Sequence, residues 1–389
     1  MRHGEGWGEV RPRAALPYTE AMNLALIADW LTTSGGAERA LAEFHAMWPE
    51  SPIFTTVRGA KMLPGLRDAE IRTSRLQPLY RIVRHHQLLL PLMPRAVEDL
   101  DLRGFDVIVS SSHAVGKGII PPSNALHICY CHTPMRYAWE MEDQYLDDFK
   151  IPRLLRTFVK RQLRELRRWD LGTAKRVDAF IANSSETAAR IARIYGRNSV
   201  VIPPPVQDRF FATPLIPPDK RGQFLAVGRL VPYKRFDLLI ECANREKLPL
   251  TIVGKGHEWK RLHAMAGATV SFRDDVSDEE LPKLYASAKA VLFPTYEDAG
   301  IVPLEAQACG TPVIAYGKGG TLDTIVPDVT GLFFDEQSVA SLTDAIARLE
   351  QLRFEPEQLR RHAQGFSSTG FKEKIAGEVE AARKKFARS

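Results

Sequence analysis

Short apolar runs alternate with segments of helical period along nearly the whole chain. Leu24–Ala28, Ile53–Val57, Asp106–Ser110, His127–Cys131, Ala179–Asn183 and Val200–Ile202 read as strands in the first half. Phe224–Val227, Leu250–Val253, Thr269–Phe272, Ala290–Phe293 and Val313–Tyr316 read as strands in the second. These runs are continuously apolar rather than strictly alternating, which suits strands of a parallel sheet covered on both faces. With helices between them they form repeated βαβ units. The pattern breaks at residues 202–220, IPPPVQDRFFATPLIPPDK, where six prolines and no helical period suggest an interdomain linker. The expected architecture is α/β, with two doubly wound, Rossmann-like domains facing a cleft. Their expected bounds are 22–205 and 206–365, followed by a terminal helix at 366–389 that packs back on the first domain. Residues 1–21, rich in Gly, Pro and charge, are expected to be a disordered extension or to follow from an upstream start ahead of Met22.

Composition adds less. A length of 389 residues with 44% apolar side chains suits two cores better than one. Cys129, Cys131, Cys242 and Cys309 are too few and too scattered for a disulfide framework, and no CxxC pair suggests zinc. They read as buried thiols in a reducing cytoplasm. No run of eighteen apolar residues is present, so no membrane span is expected, and the first twenty residues lack the apolar core of a signal peptide. The net charge of +6 points to anionic partners. It is concentrated at residues 150–168, KIPRLLRTFVKRQLRELRR, with eight Lys or Arg against one Glu.

In doubly wound sheets ligands bind beyond the carboxyl ends of the strands, so the turns there are where chemistry is sought. After the first strand, Ser34-Gly35-Gly36 opens a helix, where glycine allows close approach and free amides can meet an anion. It is equally an ordinary strand-to-helix turn. His132 follows another strand, as does His113, and each is either a hydrogen-bond donor to a sugar or phosphate or a satisfied structural histidine. Arg136, Tyr137 and Trp139 follow in HTPMRYAWE. In AVGRLVPYKRFDLLI, Arg229 and Lys234 occupy one turn at a spacing that can bring both charges onto a diphosphate. TIVGKGHEWKRL places Lys255 and Gly256 in a glycine-rich turn, but Trp259 stands at the third position of the dinucleotide fingerprint. Phe272 and Arg273 end the next strand, and Ser277 with Glu280 reads as a capping box opening a helix. Glu297 and Glu305 flank Gly300-Ile301-Val302, whose amides fall at a helix start expected near Val302 or Pro303.

Together these segments resemble the family-4 retaining glycosyltransferases of the GT-B fold. The resemblance covers about residues 22–380 and rests on SGGAER, GRLVPYKRFD, EDAGIVPLEAQACGTPVIA and GGTLDTIVPDVTGLFF. HICYCHTPMRYAWE is similar to a bacterial subset that builds exopolysaccharides and O-antigens, often with GDP-mannose. The resemblance implies a hexosyltransferase in which Arg229 and Lys234 bind the donor diphosphate, Glu297 meets the sugar and Glu305 the ribose. Gly300, Ile301 and Val302 give amides to the phosphates. Lys255, Gly256, Phe272 and Arg273 border the base, and Gly35, Gly36 and His132 close the site. His113, Arg136 and Tyr137 are expected on the acceptor or sugar side. It implies metal-independent catalysis, no cofactor, and a lipid-linked acceptor on a polyprenyl diphosphate. Family members commonly carry a large residue where this chain has Ala299, which leaves a UDP-sugar open beside GDP-mannose.

LYRIVRHHQLLLPLMPR (79–95) joins apolar residues to Arg81, Arg84 and Arg95. With the basic segment 150–168 it suggests a cytoplasmic protein resting on the anionic inner face of the plasma membrane. Nucleic acid is not expected, because no aromatic platform interleaves with these cations. A dehydrogenase is disfavoured by Trp259. A phosphorylase or epimerase on the same fold, or a non-enzymatic sugar-nucleotide binder, remain as alternatives.

Overall fold

The structure, a computed structural model, describes residues 22–33, 35–60, 63–140 and 152–388. The expected N-terminal extension, Ser34, the start of the basic segment at residues 150 and 151, and the side chain of Tyr137 lie outside the described residues. Seven strands form the first sheet: β1 (Leu24–Ala28), β2 (Ile53–Thr55), β3 (Ile71–Thr73), β4 (Val107–Ser112), β5 (Leu126–Cys131), β6 (Ala179–Ala182) and β7 (Ser199–Val201). Six form the second: β8 (Gln223–Val227), β9 (Leu250–Val253), β10 (Val270–Arg273), β11 (Ala288–Phe293), β12 (Val313–Tyr316) and β13 (Gly331–Phe334). Their orders are β3-β2-β1-β4-β5-β6-β7 and β10-β9-β8-β11-β12-β13, and the pairings are parallel.

Apolar continuity has the expected consequence. Leu24, Leu26 and Ala28 of β1 join one core cluster while Ala25 and Ile27 join the cluster on the opposite face. In β8, Phe224 and Ala226 face one cluster and Leu225 the other. Successive side chains point to opposite faces, so a strand apolar at every position must be covered twice. Six helices position the site: α1 (Gly36–Met47), α2 (Arg153–Thr173), α3 (Ser185–Tyr195), α4 (Phe236–Glu246), α5 (Ile301–Ala308) and α6 (Ser368–Phe386). Helix α6 sends Phe371, Ile375 and Val379 into the cluster beneath β1, so the chain ends on the first sheet.

The proline-rich run, expected as an interdomain linker, carries packed structure of its own. Asp208–Phe211 forms a helical turn, and Val206 and Phe210 are buried with Tyr285 and Val291 of the second domain. The Val206 amide donates to the Phe366 carbonyl at 2.8 Å, so the two crossings between domains run side by side. The helix expected at Ser277 begins at Leu281. Ser277 Oγ accepts from the Glu280 amide at 3.1 Å, capping a preceding turn instead. All four cysteines are buried free thiols.

Candidate functional site

Strand order reverses between β1 and β4 in the first sheet and between β8 and β11 in the second. Crevices beyond the strand ends at such points are where doubly wound sheets bind ligands. The turns that follow these strands carry Gly35, Gly36 and His113 on one side, and Arg229, Lys234, Glu297 and Gly300 on the other. The two sides meet: a Cβ added to Gly36 would stand 3.3 Å from Ile301 Cδ1. The first turns of α1 and α5 therefore face each other, each with backbone amides that its own helix leaves unpaired and with the positive end of a helix dipole.

Lys234 sits in a turn after β8, 9% exposed, and its ammonium contacts Glu297 Oε1 directly. Burial, followed by the repulsion of Arg229 and Arg136, pushes Lys234 down to about 7. Asp298 opposes this shift, and the Glu297 carboxylate in direct contact favours the charged ammonium. Arg229 is exposed in the same turn and also lowers the affinity of His113 for its proton. The glycines around this turn answer to packing. A Cβ on Gly256 would lie 2.1 Å from the Leu230 carbonyl, so the turn carrying Lys255 presses directly on the turn carrying Arg229. Gly320 donates its amide to the Glu297 carbonyl at 2.9 Å, and a Cβ there would lie 2.5 Å from the Asp298 carbonyl. The glycine pair of the GGTLDT segment thus seats the Glu297 loop.

Glu305 is buried on α5, where Tyr285 donates to Oε2 at 3.0 Å and Arg39 of α1 donates to Oε1 at 3.2 Å. Burial raises its pKa, with Arg39 and Tyr285 opposing. Phe272 lies within 5.2 Å of His263, which stacks on Trp259 at 4.6 Å, and Arg273 pairs with Glu280 at 2.6 Å. These groups form an aromatic and charged edge beside the exposed Lys255.

Across the cleft, Asp29 at the end of β1 accepts from Ser112 Oγ at 2.9 Å and from the amides of His113 at 2.7 Å and Gly116 at 2.5 Å. His113 Nδ1 lies 2.9 Å from Asp29 Oδ2. Burial works against both charges, yet their mutual attraction prevails: Asp29 falls to about 2 and the pKa of His113 rises. His132 shares a hydrogen bond with Ser111 Oγ at 2.8 Å, and burial lowers it to about 3, so it is a neutral imidazole. Arg136 lies 3.5 Å from Asp298 and over the Tyr233 ring. Asp29, Arg39, Asp298 and Arg190 were not anticipated, because their partners are distant in sequence. Arg190 alone carries a local signal, a charge on the buried face of α3 beside Thr187 and Ile191. Among the described residues no group of three or more His, Cys, Asp or Glu is placed to hold a metal.

Residues 208–366 match the family model for glycosyl transferases group 1, and residues 34–210 match that for glycosyltransferase family 4. The D-inositol 3-phosphate glycosyltransferase of Kribbella flavida is 31% identical over 229 residues, 49% of this chain and 53% of that one. A GDP-mannose-dependent alpha-(1-6)-phosphatidylinositol monomannoside mannosyltransferase of Mycobacterium tuberculosis is 33% identical over 208 residues, 46% of this chain and 54% of the relative. The chain thus spans about half the length of the curated relatives it matches. Sucrose-phosphate synthase from Thermosynechococcus elongatus superposes with a TM-score of 0.68 at 21% identity, covering 95% of this chain and 100% of that one. An Anabaena protein solved with UDP-glucose does so with 0.67 at 18% identity, covering 92% and 99%. These likenesses establish the two-domain GT-B fold.

Proposed function

The chain belongs to the family-4 glycosyltransferases, and on that premise we propose that it transfers a sugar from a nucleotide-sugar with retention of anomeric configuration. The observation that carries this reading is the meeting of Lys234, Glu297 and two helix N-termini at the paired switch points. A donor diphosphate fits between the facing first turns of α1 and α5, with Arg229 and Lys234 as its cations. In the free protein Lys234 and Glu297 neutralise one another. A bound diphosphate takes over Lys234 and leaves Glu297 to accept from a sugar hydroxyl. Glu305 serves the ribose, while Lys255, Gly256, Phe272 and Arg273 border the base. His132 and Gly35 complete the site from the first domain, and the acceptor enters past His113 and Arg136.

As the bond from the anomeric carbon to the diphosphate oxygen breaks, the acceptor oxygen forms its bond from the same face. Its proton passes to the departing phosphate. Charge developing on the leaving group meets preorganised cations and amides, the kind of stabilisation that supplies most of the acceleration in such sites. With two cations serving the diphosphate, turnover is expected to survive EDTA. The M. tuberculosis relative favours GDP-mannose as donor, whereas Ala299, small beside the sugar, favours a different choice such as a UDP-sugar.

The acceptor is proposed to be lipid-linked, with the first domain resting on an anionic leaflet. Ile82, Leu88, Leu92, Leu154 and Phe158 are exposed beside Arg81, Arg84, Arg153, Arg161, Arg164 and Arg168. Among the described residues no helix is long and apolar enough to cross a membrane. Thermal shift against GDP, UDP and ADP tests the donor site: one nucleotide should stabilise the protein by about 2.7 kcal/mol at a hundred times its Kd. No stabilisation by any of them contradicts the reading.

A further inference from the structure

Both chain neighbours of Glu297 are gripped from the opposite domain by one side chain. Arg190, on α3 of the first domain, is 1% exposed. Its Nη1 donates to Thr133 Oγ1 at 3.1 Å and to Asp298 Oδ1, and its Nη2 donates to the Tyr296 hydroxyl at 3.2 Å. The guanidinium also lies over the Tyr296 ring, 5.6 Å from its centroid. Nearby, the Ser185 amide at the start of α3 donates to Asp323 at 2.7 Å, a second crossing from the same helix.

The distribution of carboxylates around this arginine is informative. A buried charge without a partner costs several kcal/mol. Glu140 and Glu186, each 3.2 Å from Nε, belong to Arg190's own domain. Both lie on the arginine's own side of the cleft, although Glu186 also accepts from the Tyr296 hydroxyl across it. Asp298 and Tyr296 are additional partners, available only when the second domain is docked. The contact can therefore break without orphaning the arginine, as a reversible interdomain link requires.

We propose that Arg190 is a positioning residue: by holding Tyr296 and Asp298 it fixes the backbone of Glu297, so that the sugar-side contact is assembled only when the domains are together. The importance of Glu297 rests on the donor-site reading above; the link itself does not. Its consequence is a division of labour. Most of the diphosphate groups, Arg229, Lys234 and the α5 amides, lie within the second domain and hold nucleotide with the cleft open or closed, the α1 turn adding the rest on closure, whereas turnover needs Arg190.

The test uses the full chain as wild type, Asp298→Asn and Arg190→Lys. Asp298→Asn weakens the cross-domain contact and leaves the buried side of the first domain untouched. Small-angle scattering, calorimetry with GDP and UDP, and nucleotide release from GDP-mannose and UDP-glucose are the readouts. Asp298→Asn should show a larger radius of gyration and nucleotide affinity within about threefold of wild type. Its kcat should fall about 100-fold with KM little changed, as for a misplaced reacting group, and Arg190→Lys should fall between. Unchanged kcat and radius of gyration overturn the proposal, as does a loss of nucleotide affinity that matches the loss of kcat. If the wild type binds neither nucleotide, the donor-site reading fails, and the scattering comparison still decides the link: an unchanged radius overturns it.

Discussion

Asp29 is the hub on the first domain's side of the cleft. It receives Ser112 at the end of β4 and His113 and Gly116 from the loop that follows, and so ties that loop to the end of β1. Its pairing with His113 gives a pH signature. The His113 contribution is complete below its unfolded value of 6.5 and fades as pH rises through its higher folded value. The Asp29 contribution is complete above 3.8 and is lost as pH falls towards about 2. The pair therefore stabilises most between these unfolded values. Asp29→Asn should lower unfolding free energy by about 3–5 kcal/mol at pH 5.5, as when one partner of a buried pair is removed, and by less at pH 9. Equal losses at both pH values in denaturant titrations contradict this. The residues on one turn or one motif, Lys234 and Glu297 among them, were legible from strand-turn context. Asp29 with His113 was not, because the two are 84 residues apart and no local pattern joins them.

At the scale of elements, strands β1, β9 and β12 fall where the apolar runs place them. The missed strands are both at sheet edges. Ile71–Thr73 is short and half-exposed and lacks the doubly buried pattern of a central strand, whereas Gly331–Phe334 is apolar and largely buried but only four residues long and opens on a glycine. The glycine is there because a Cβ would lie 2.2 Å from the Val313 carbonyl of the neighbouring strand. Close approach of this kind is a property of the folded sheet and leaves no periodicity to read. It also makes a contrast that can be measured. Gly256→Ala forces the β8 and β9 turns apart and should destabilise by about 1–3 kcal/mol. Gly377→Ala, inside α6 with nothing within 4 Å of the added Cβ, should stabilise by about 0.5–1 kcal/mol. Thermal denaturation of both variants checks the pair, and the same sign for both contradicts the packing account.

For the whole molecule, the two sheets bring their switch points face to face, and ion pairs such as Arg39 with Glu305 and Arg190 with Asp298 cross between them. The domain pattern was readable from alternating runs, but these cross-domain pairs depend on docking geometry that no single segment encodes. The first domain also presents a groove of about 360 Å³ lined by Leu88, Pro91, Phe158, Leu163 and Trp169. With cations contributing about 1 kcal/mol each near an anionic surface, flotation should succeed on phosphatidylglycerol-containing vesicles and fail on phosphatidylcholine alone. Added salt should weaken it, and equal binding to both vesicle types contradicts a charge-led attachment. The donor site is tested most directly by calorimetric titration of GDP and UDP into the wild type, Lys234→Ala and Glu297→Gln. One nucleotide should bind the wild type, Lys234→Ala should weaken it by about 100-fold or more, near 3 kcal/mol for a lost charge-assisted contact, and Glu297→Gln should bind at least as well as wild type. Equal binding by wild type and Lys234→Ala would contradict the donor-site reading.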